Sequence, residues 1–403
     1  VLNAASTLCA LILFGFSYLF LPKLSNYPHM MLLACVKIIF SFLQINWLFS
    51  GLEEFKYISL RTLAIKIIYV VCVFIFVRNT NDYYVYFVLL VGMIVANAIA
   101  NLFYSRKFTS LNFSDINIWP LLSPFFMLGL YYVCICIYST MNMMALGIFS
   151  TTEQVGYFSV SSKLFALITS LYYAFTTAAM PRMCSMLVED KLSEFSSQIH
   201  RTAKTVTQLS IPIIIFGLIY APQITYIISG PDYSPAIPSM RILFPMLYFL
   251  GLEKLFIEQI LVPLKYDKIL LRNAFIAAIV AIVSDIVLIP HFGATGSAIA
   301  WLLAECTIFS TSLYCINKHL TIKELYTDAR NTVLSYVPSI PLLMLVSVIP
   351  LNPFLTFGIG ALVFALYFVF IQMQFVHNED ILKFLHLKRL KAPSNMHSHN
   401  QHT

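Results

Sequence analysis

The sequence predicts an all-α, polytopic membrane protein, and three observations lead there. Of its 403 residues 59% are hydrophobic and only 11% charged, whereas a soluble domain carries about 25% charged residues. Apolar stretches long enough to cross a bilayer follow one another with short gaps. Lys and Arg gather in every second gap.

Composition comes first. A mean hydropathy of +0.81 and 34 Phe cannot form a water-facing shell around one core, so the surplus apolar surface faces lipid. The eight cysteines, Cys9, Cys35, Cys72, Cys134, Cys136, Cys184, Cys306 and Cys315, contain no C-x-x-C pair and read as free thiols, without a disulfide framework or a zinc site. No metal or cofactor is expected. The chain starts at Val1, with Ala4 already in an apolar run and no basic n-region before it. This argues against a cleaved signal peptide and for a truncated start.

The apolar stretches lie at 4–21, 30–49, 63–77, 83–104, 118–138, 156–180, 206–229, 240–262, 269–289, 294–316, 332–350 and 353–375, which predicts about twelve transmembrane helices. Lys66 interrupts the third stretch, and Pro212 and Pro222 the seventh. Pro212, Pro222, Pro245, Pro263 and Pro290 are candidate kinks.

The connections after even-numbered stretches hold Lys56 and Arg61; Arg106 and Lys107; Arg182, Lys191, Arg201 and Lys204; Lys265, Lys268 and Arg272; Lys318, Lys323 and Arg330; and Lys383, Lys388, Arg389 and Lys391. Those after odd-numbered stretches hold only Lys23, Arg78 and Arg241. The asymmetry places the even connections and the C-terminus in the cytoplasm. It also argues against nucleic-acid binding, because the net charge of +7 is dispersed as juxtamembrane anchors rather than gathered in one patch. Residues 378–391 read as an interfacial helix on the inner leaflet, and His397, His399 and His402 as part of a disordered end.

An internal repeat is visible. GLEEFKYISLRTLAIKI (51–67) and VPLKYDKILLRNAFIAAI (262–279) share layout, with Lys56 against Lys268, Leu52 against Leu264 and Arg61 against Arg272. On this register stretches 7 to 10 repeat stretches 1 to 4, and two helices are missing before the first. The expected organisation is two pseudosymmetric bundles: an incomplete N-terminal bundle at 1–117, a C-terminal bundle of six spans at 118–331, two additional spans at 332–376 and a cytoplasmic tail at 377–403.

Two segments carry a family resemblance. INWLFSGLEEFKYISLRTL (45–63) places Trp47, Phe49, Gly51, Glu53, Phe55 and Lys56 in a W-x-F-x-G-x-E-x-F-K pattern. In residues 137–183, a Gly-containing turn at Gly147 precedes Val155, Gly156 and Tyr157, and the following helix runs to Pro181 and Arg182. Both resemble Wzx-type O-antigen and polysaccharide flippases of the multidrug/oligosaccharidyl-lipid/polysaccharide (MOP) exporter superfamily, over roughly residues 1–317. The resemblance implies a MATE-like fold of two bundles around a central cavity in a bacterial cytoplasmic membrane. The substrate it implies is an undecaprenyl-pyrophosphate-linked repeat unit. It also implies transport rather than catalysis, with a polysaccharide polymerase as a further partner. Members of the family begin two helices earlier.

Such a transporter needs cations to offset a diphosphate and a polar path for sugar. Ser159, Lys163, Ala166, Ser170, Tyr173 and Thr177 recur at steps of three and four on the sixth stretch, forming one stripe. Lys37, Ser41 and Gln44 do so on the second stretch, and Asn97, Asn101 and Tyr104 on the fourth. Lys37, Lys163, Lys254, Ser159, Ser170, Tyr173, Asn97 and Asn101 are therefore the candidate substrate-binding residues, with interhelical hydrogen bonding as the competing role for the same residue types. Lys254 and Glu258, one turn apart, can also neutralise each other. Asp285 and Glu305 are candidate ion-coupling groups, against buried structural carboxyls. Glu53 and Glu54 read as part of a solvated charge cluster. A MATE-like drug or cation antiporter is the alternative function and would favour an acidic cavity. No P-loop is present to support an ATP-driven pump.

Overall fold

A computed structural model describes residues 2–20, 28–52, 54–79, 82–108, 119–316, 322–349 and 352–373. The predicted interfacial helix at 378–391, the histidines beyond it, and Glu53 lie outside them. The described residues are helical, with no strand among them. They fall into two compact units, residues 1–116 and 117–403.

The first unit contains α1 (Leu2–Phe20), α2 (Pro28–Ser41), the short α3 (Asn46–Gly51), α4 (Phe55–Phe76) and α5 (Tyr83–Ser105). α2 and α4 both pack on α5. The apolar run predicted to begin at residue 63 is the latter part of a helix that starts at Phe55. Lys56, Arg61 and Thr62 lower the hydropathy of its first turns without breaking the backbone ladder, so hydropathy misses a start that hydrogen bonding keeps.

The second unit contains α6 (Trp119–Ser139), α7 (Met141–Phe149), α8 (Thr152–Val188), α9 (Leu192–Ser229), a 3₁₀ turn (Pro231–Ala236), α10 (Ile237–Leu255), a π-helical turn (Phe256–Leu261), α11 (Asp267–Ile316), α12 (Ile322–Tyr336), α13 (Ser339–Val348) and α14 (Pro353–Ile371). Its core is Leu-, Ile- and Ala-rich where α11 packs on α6 and α10. Trp301 meets Phe165 edge-on there, with ring centroids 5.2 Å apart.

α8 and α9 have 37 and 38 residues. At 1.5 Å per residue each is about 55 Å long, well beyond the ~30 Å hydrocarbon layer. They exceed the predicted stretches 156–180 and 206–229 because α8 runs on past Pro181 and Arg182 to Val188 and α9 begins with polar turns over 192–205. A reversal at Asp190 (φ 56°) and a 2.6 Å contact between Lys191 and Glu189 close that hairpin.

Each of the twelve predicted stretches falls on helix. Among the described residues six helices are individually long and apolar enough to span a membrane. Two bent pairs, broken by 41° between α6 and α7 and by 47° between α12 and α13, bring the number to eight. Pro338 lies at the second bend, where its missing N–H interrupts the ladder. Two predicted stretches, 269–289 and 294–316, share α11, which breaks at Gly293 (φ 52°, ψ −126°). Pro290 lies three residues before that break, whereas Pro212 and Pro222 sit inside continuous helix in α9.

Candidate functional site: a buried charge cluster in the second unit

The last α-helical turn of α10 carries Glu253 and Lys254, fully buried and 6% exposed respectively. Lys254 Nζ lies 3.6 Å from Glu253 Oε2 and 4.9 Å from the centre of the Tyr173 ring on α8. Adjacent residues on an α-helix point about 100° apart, so the pair forms because the lysine arm folds back toward the carboxylate. The backbone passes into the π turn at Phe256 immediately afterwards. Such single turns recur at functional sites, where they re-aim side chains.

Glu305, 3% exposed, reaches the same interior from the second limb of α11. Its Oε1 accepts a hydrogen bond from Trp301 Nε1 at 3.2 Å, one turn earlier on the helix. Glu253 is within electrostatic reach of Lys254, Glu305, Tyr173, Tyr131 and Tyr138. Both Glu253 carboxylate oxygens and Glu305 Oε2 lack a hydrogen-bond partner among the described residues. Two carboxyls against one ammonium, with three phenols around them, form a buried cluster of ionisable groups. Burial of this kind is costly unless the charges are paired.

Three of the sequence candidates, Lys254, Tyr173 and Glu305, thus converge. The ion pair of Lys254 is with Glu253 rather than with Glu258, the neighbour one turn away. Glu253 is ionisable and sits in an apolar stretch, a signal legible in the sequence, but its pairing depends on how α10 ends.

The α8 stripe is a single face. Ser159 is half-buried, while Lys163, Ala166, Ser170 and Tyr173 are exposed; the alternate set Phe158, Phe165, Thr169 and Tyr172 is buried in the unit's core. The face therefore turns away from that core and ends at Tyr173, whose ring covers Lys254. Thr177 is outside the residues whose side chains are described. Asp285, 5% exposed, stands apart on the first limb of α11, and its Oδ1 has no partner among the described residues.

In the first unit Lys37 is exposed on α2. Asn97 and Asn101 are buried on α5: Asn97 Nδ2 donates to Met93 O at 2.8 Å within its own helix, and Asn101 Nδ2 donates to Leu43 O at 3.1 Å. Gln44 Nε2 donates to Ile94 O at 3.2 Å. Asn101 and Gln44 therefore tie α5 to the segment after α2, the structural use of such side chains between membrane helices.

Outside the apolar spans, Asp82 accepts hydrogen bonds from the backbone N–H groups of Arg78 (2.9 Å) and Asn79 (2.8 Å), which hold its carboxyl below the usual carboxylate range.

The class this architecture defines is the polytopic α-helical membrane proteins. The structure matches the lipid II flippase MurJ in an inward closed conformation with a TM-score of 0.72 at 16% identity, over 94% of this chain and 83% of that one. Residues 1–187 match the family model described as "Polysaccharide biosynthesis protein". A "Putative O-antigen transporter" of Escherichia coli (strain K12) is 24% identical over 284 residues, and one of Shigella dysenteriae is 25% identical over 267 residues. These alignments cover 68% and 65% of this chain, and the chain spans 66% of the length of each relative. A "Probable flippase AglR" of Haloferax volcanii is 27% identical over 173 residues, 41% of this chain and 35% of that protein. Over part of its length the chain is thus similar to polysaccharide-biosynthesis proteins and O-antigen transporters.

Proposed function

We propose that this protein flips an undecaprenyl-pyrophosphate-linked O-antigen or related polysaccharide repeat unit across a bacterial cytoplasmic membrane, with its C-terminus in the cytoplasm. The observation that carries the reading is the outward-facing α8 stripe, where Lys163 and the hydroxyls of Ser159 and Ser170 lead to Tyr173 over Lys254. A lysine exposed on a membrane helix costs about 3 kcal/mol if lipid surrounds it. A polar path that receives diphosphate and sugar removes that cost and gives the hydroxyls partners.

In this reading residues 1–117 and 118–331 act as the two bundles, residues 332–376 add two spans, and Lys37 contributes from the first bundle, where the buried Asn97 and Asn101 brace α5. Glu305 and Asp285 couple an ion gradient to the cycle, Glu305 through its contact with Glu253 and Lys254.

Cation antiport is a second reading, and one observation favours it: the interior of the second unit holds two carboxyls against a single lysine. The two readings separate in a bacterial strain whose own flippase is deleted. Expression of this protein should restore surface polysaccharide, and Lys163→Ala and Lys37→Ala should abolish it at unchanged protein level. Wild-type export by both variants removes the site assignment. Failure to restore polysaccharide, together with raised resistance to cationic dyes, supports the antiporter.

A further inference from the structure

The first unit contains an arginine with unspent hydrogen-bonding capacity. Arg61, on α4, is 9% exposed. Its Nη2 donates to Asn46 Oδ1 at 2.9 Å and to Thr62 Oγ1 at 3.3 Å. Its Nε and Nη1 are shielded from solvent and have no partner among the described residues. No acidic side chain among the described residues pairs with it. A guanidinium stays charged at any physiological pH, so it cannot escape this burial by losing a proton. An uncompensated buried charge is strongly destabilising.

The surroundings are arranged rather than incidental. The guanidinium carbon lies 5.3 Å from the centre of the Tyr57 ring. That ring stacks on Tyr104 at 3.6 Å, and its hydroxyl is anchored by donating to Ala100 O at 3.0 Å. Phe49, fully buried, packs edge-on to Tyr57. Asn46, the partner that holds Nη2, is exposed, so the pocket opens at α3. Lys56, Arg106 and Lys107 are exposed nearby in sequence, at the same end of α4 and α5. The Lys and Arg distribution assigns that end to the cytoplasmic side.

We propose that Arg61, beside the Tyr57 ring and tethered by Asn46, is a phosphate-binding site at the level of the inner-leaflet headgroups. A planar N–H fork with two free nitrogens matches two phosphate oxygens. The Tyr57 ring lies within cation–π reach of it, and the basic rim raises the local concentration of anions. Two sources carry that chemistry, an anionic phospholipid headgroup and the diphosphate of a polyprenyl carrier. The site does not depend on the transport reading, since it concerns only what the first unit binds.

The test uses the full chain in detergent micelles. Native mass spectrometry measures affinity for phosphatidylglycerol, phosphatidylethanolamine and undecaprenyl diphosphate, with inorganic phosphate as competitor. Arg61→Met should weaken one or both anionic lipids at least tenfold and leave the zwitterionic one unchanged. Loss for phosphatidylglycerol alone identifies the phospholipid as ligand, loss for the polyprenyl diphosphate alone identifies the carrier, and loss for both identifies the shared phosphate. Arg61→Lys should retain part of the affinity, and Arg106→Gln should weaken it by less than Arg61→Met does. Asn46→Asp places a carboxylate against Nη2, so it should raise the lipid-free melting temperature while weakening anion binding, and it serves if Arg61→Met fails to fold. Unchanged affinity for both anionic lipids in Arg61→Met, or in Asn46→Asp, overturns the proposal. So does a raised melting temperature in Asn46→Asp without loss of binding.

Discussion

Gln154 holds the backbone of Ala294: its Oε1 accepts the Ala294 N–H at 2.8 Å across 140 residues of sequence. The contact joins the first turn of α8, capped by Thr151, to the break in α11. Gly293 supplies the break with φ 52°, and a Cβ there would fall 2.5 Å from Gln154 Oε1. A residue with a side chain at that position meets two penalties, a left-handed backbone and a clash.

Gln154→Ala should therefore lower stability by about 1–3 kcal/mol, the cost of stranding a part-buried N–H. Gly293→Ala should cost at least as much. Because both substitutions act on one contact, the double variant should lose less than the two losses added together. Thermal-shift measurements on the purified single and double variants check this, and strict additivity would show that the contact is not shared.

The Glu253–Lys254 pair yields a second expectation. Lys254→Met leaves two carboxyls facing each other in the interior, and breaking a buried pair from one side costs about 3–5 kcal/mol. Adding Glu253→Gln to Lys254→Met removes one of the stranded charges and should recover a large part of that loss. Melting temperatures of the single and double variants decide it. A double variant less stable than Lys254→Met would mean that Glu253 has partners more important than the lysine.

Much of the fold could be read from hydropathy, and the reason is visible in single residues. The apolar stretch at 353–375 became α14 because Asn352 accepts the Phe354 N–H, Pro353 starts the helix without needing an N–H of its own, and nothing after it interrupts the ladder. The same signal placed the start of α4 late, at residue 63 rather than Phe55, since Arg61 and Lys56 read as loop charge although their backbone is helical. The site was legible only in part. The α8 stripe follows from a period of 3.6, so Lys163, Ser170 and Tyr173 could be placed on one face from spacing alone. Whether Lys254 pairs with Glu253 or Glu258 depends on where α10 gives way to a π turn, and no residue between Leu255 and Leu261 announces that change. The Arg61 pocket was hidden for a different reason. It needs Asn46 and Tyr104, which are far apart in sequence, and a basic residue beside a membrane span ordinarily reads as an anchor.

The third expectation concerns α14. Gly360 lies so close to Tyr220 of α9 that a Cβ would sit 2.1 Å from the phenol oxygen and 2.2 Å from the ring carbon bearing it. Tyr220 is fully buried and donates to Leu343 O at 3.3 Å, so it has little freedom to retreat. Gly360→Ala should cost about 1–3 kcal/mol through overpacking. Tyr220→Phe should not rescue it, because the ring carbon clashes as well as the oxygen. Tyr220→Val in the same chain should. Comparing melting temperatures across these three backgrounds checks the geometry, and rescue by Tyr220→Phe would place the ring elsewhere.

The fourth concerns the turn between α4 and α5. There the Asp82 carboxylate gathers the N–H groups of Arg78 and Asn79, and Arg78 Nε donates to Ile75 O at 3.1 Å. These bonds favour the ionised carboxyl and lower its affinity for protons in the folded state. A group depressed in this way contributes stability above its unfolded value, near 3.8, and loses it as the pH falls through the folded value below that. At neutral pH the turn should therefore be closed and the Arg78–Asn79 bond a poor protease substrate. Asp82→Ala opens the turn at any pH, so trypsin added to the outer face of right-side-out membrane vesicles should cut after Arg78 several-fold faster than in wild type. Asp82→Asn should fall between the two, since its amide oxygen still accepts a hydrogen bond but carries no charge. Equal cleavage in all three proteins would mean that the carboxylate does not hold the turn. Cleavage only in inside-out vesicles would reverse the orientation read from the Lys and Arg distribution.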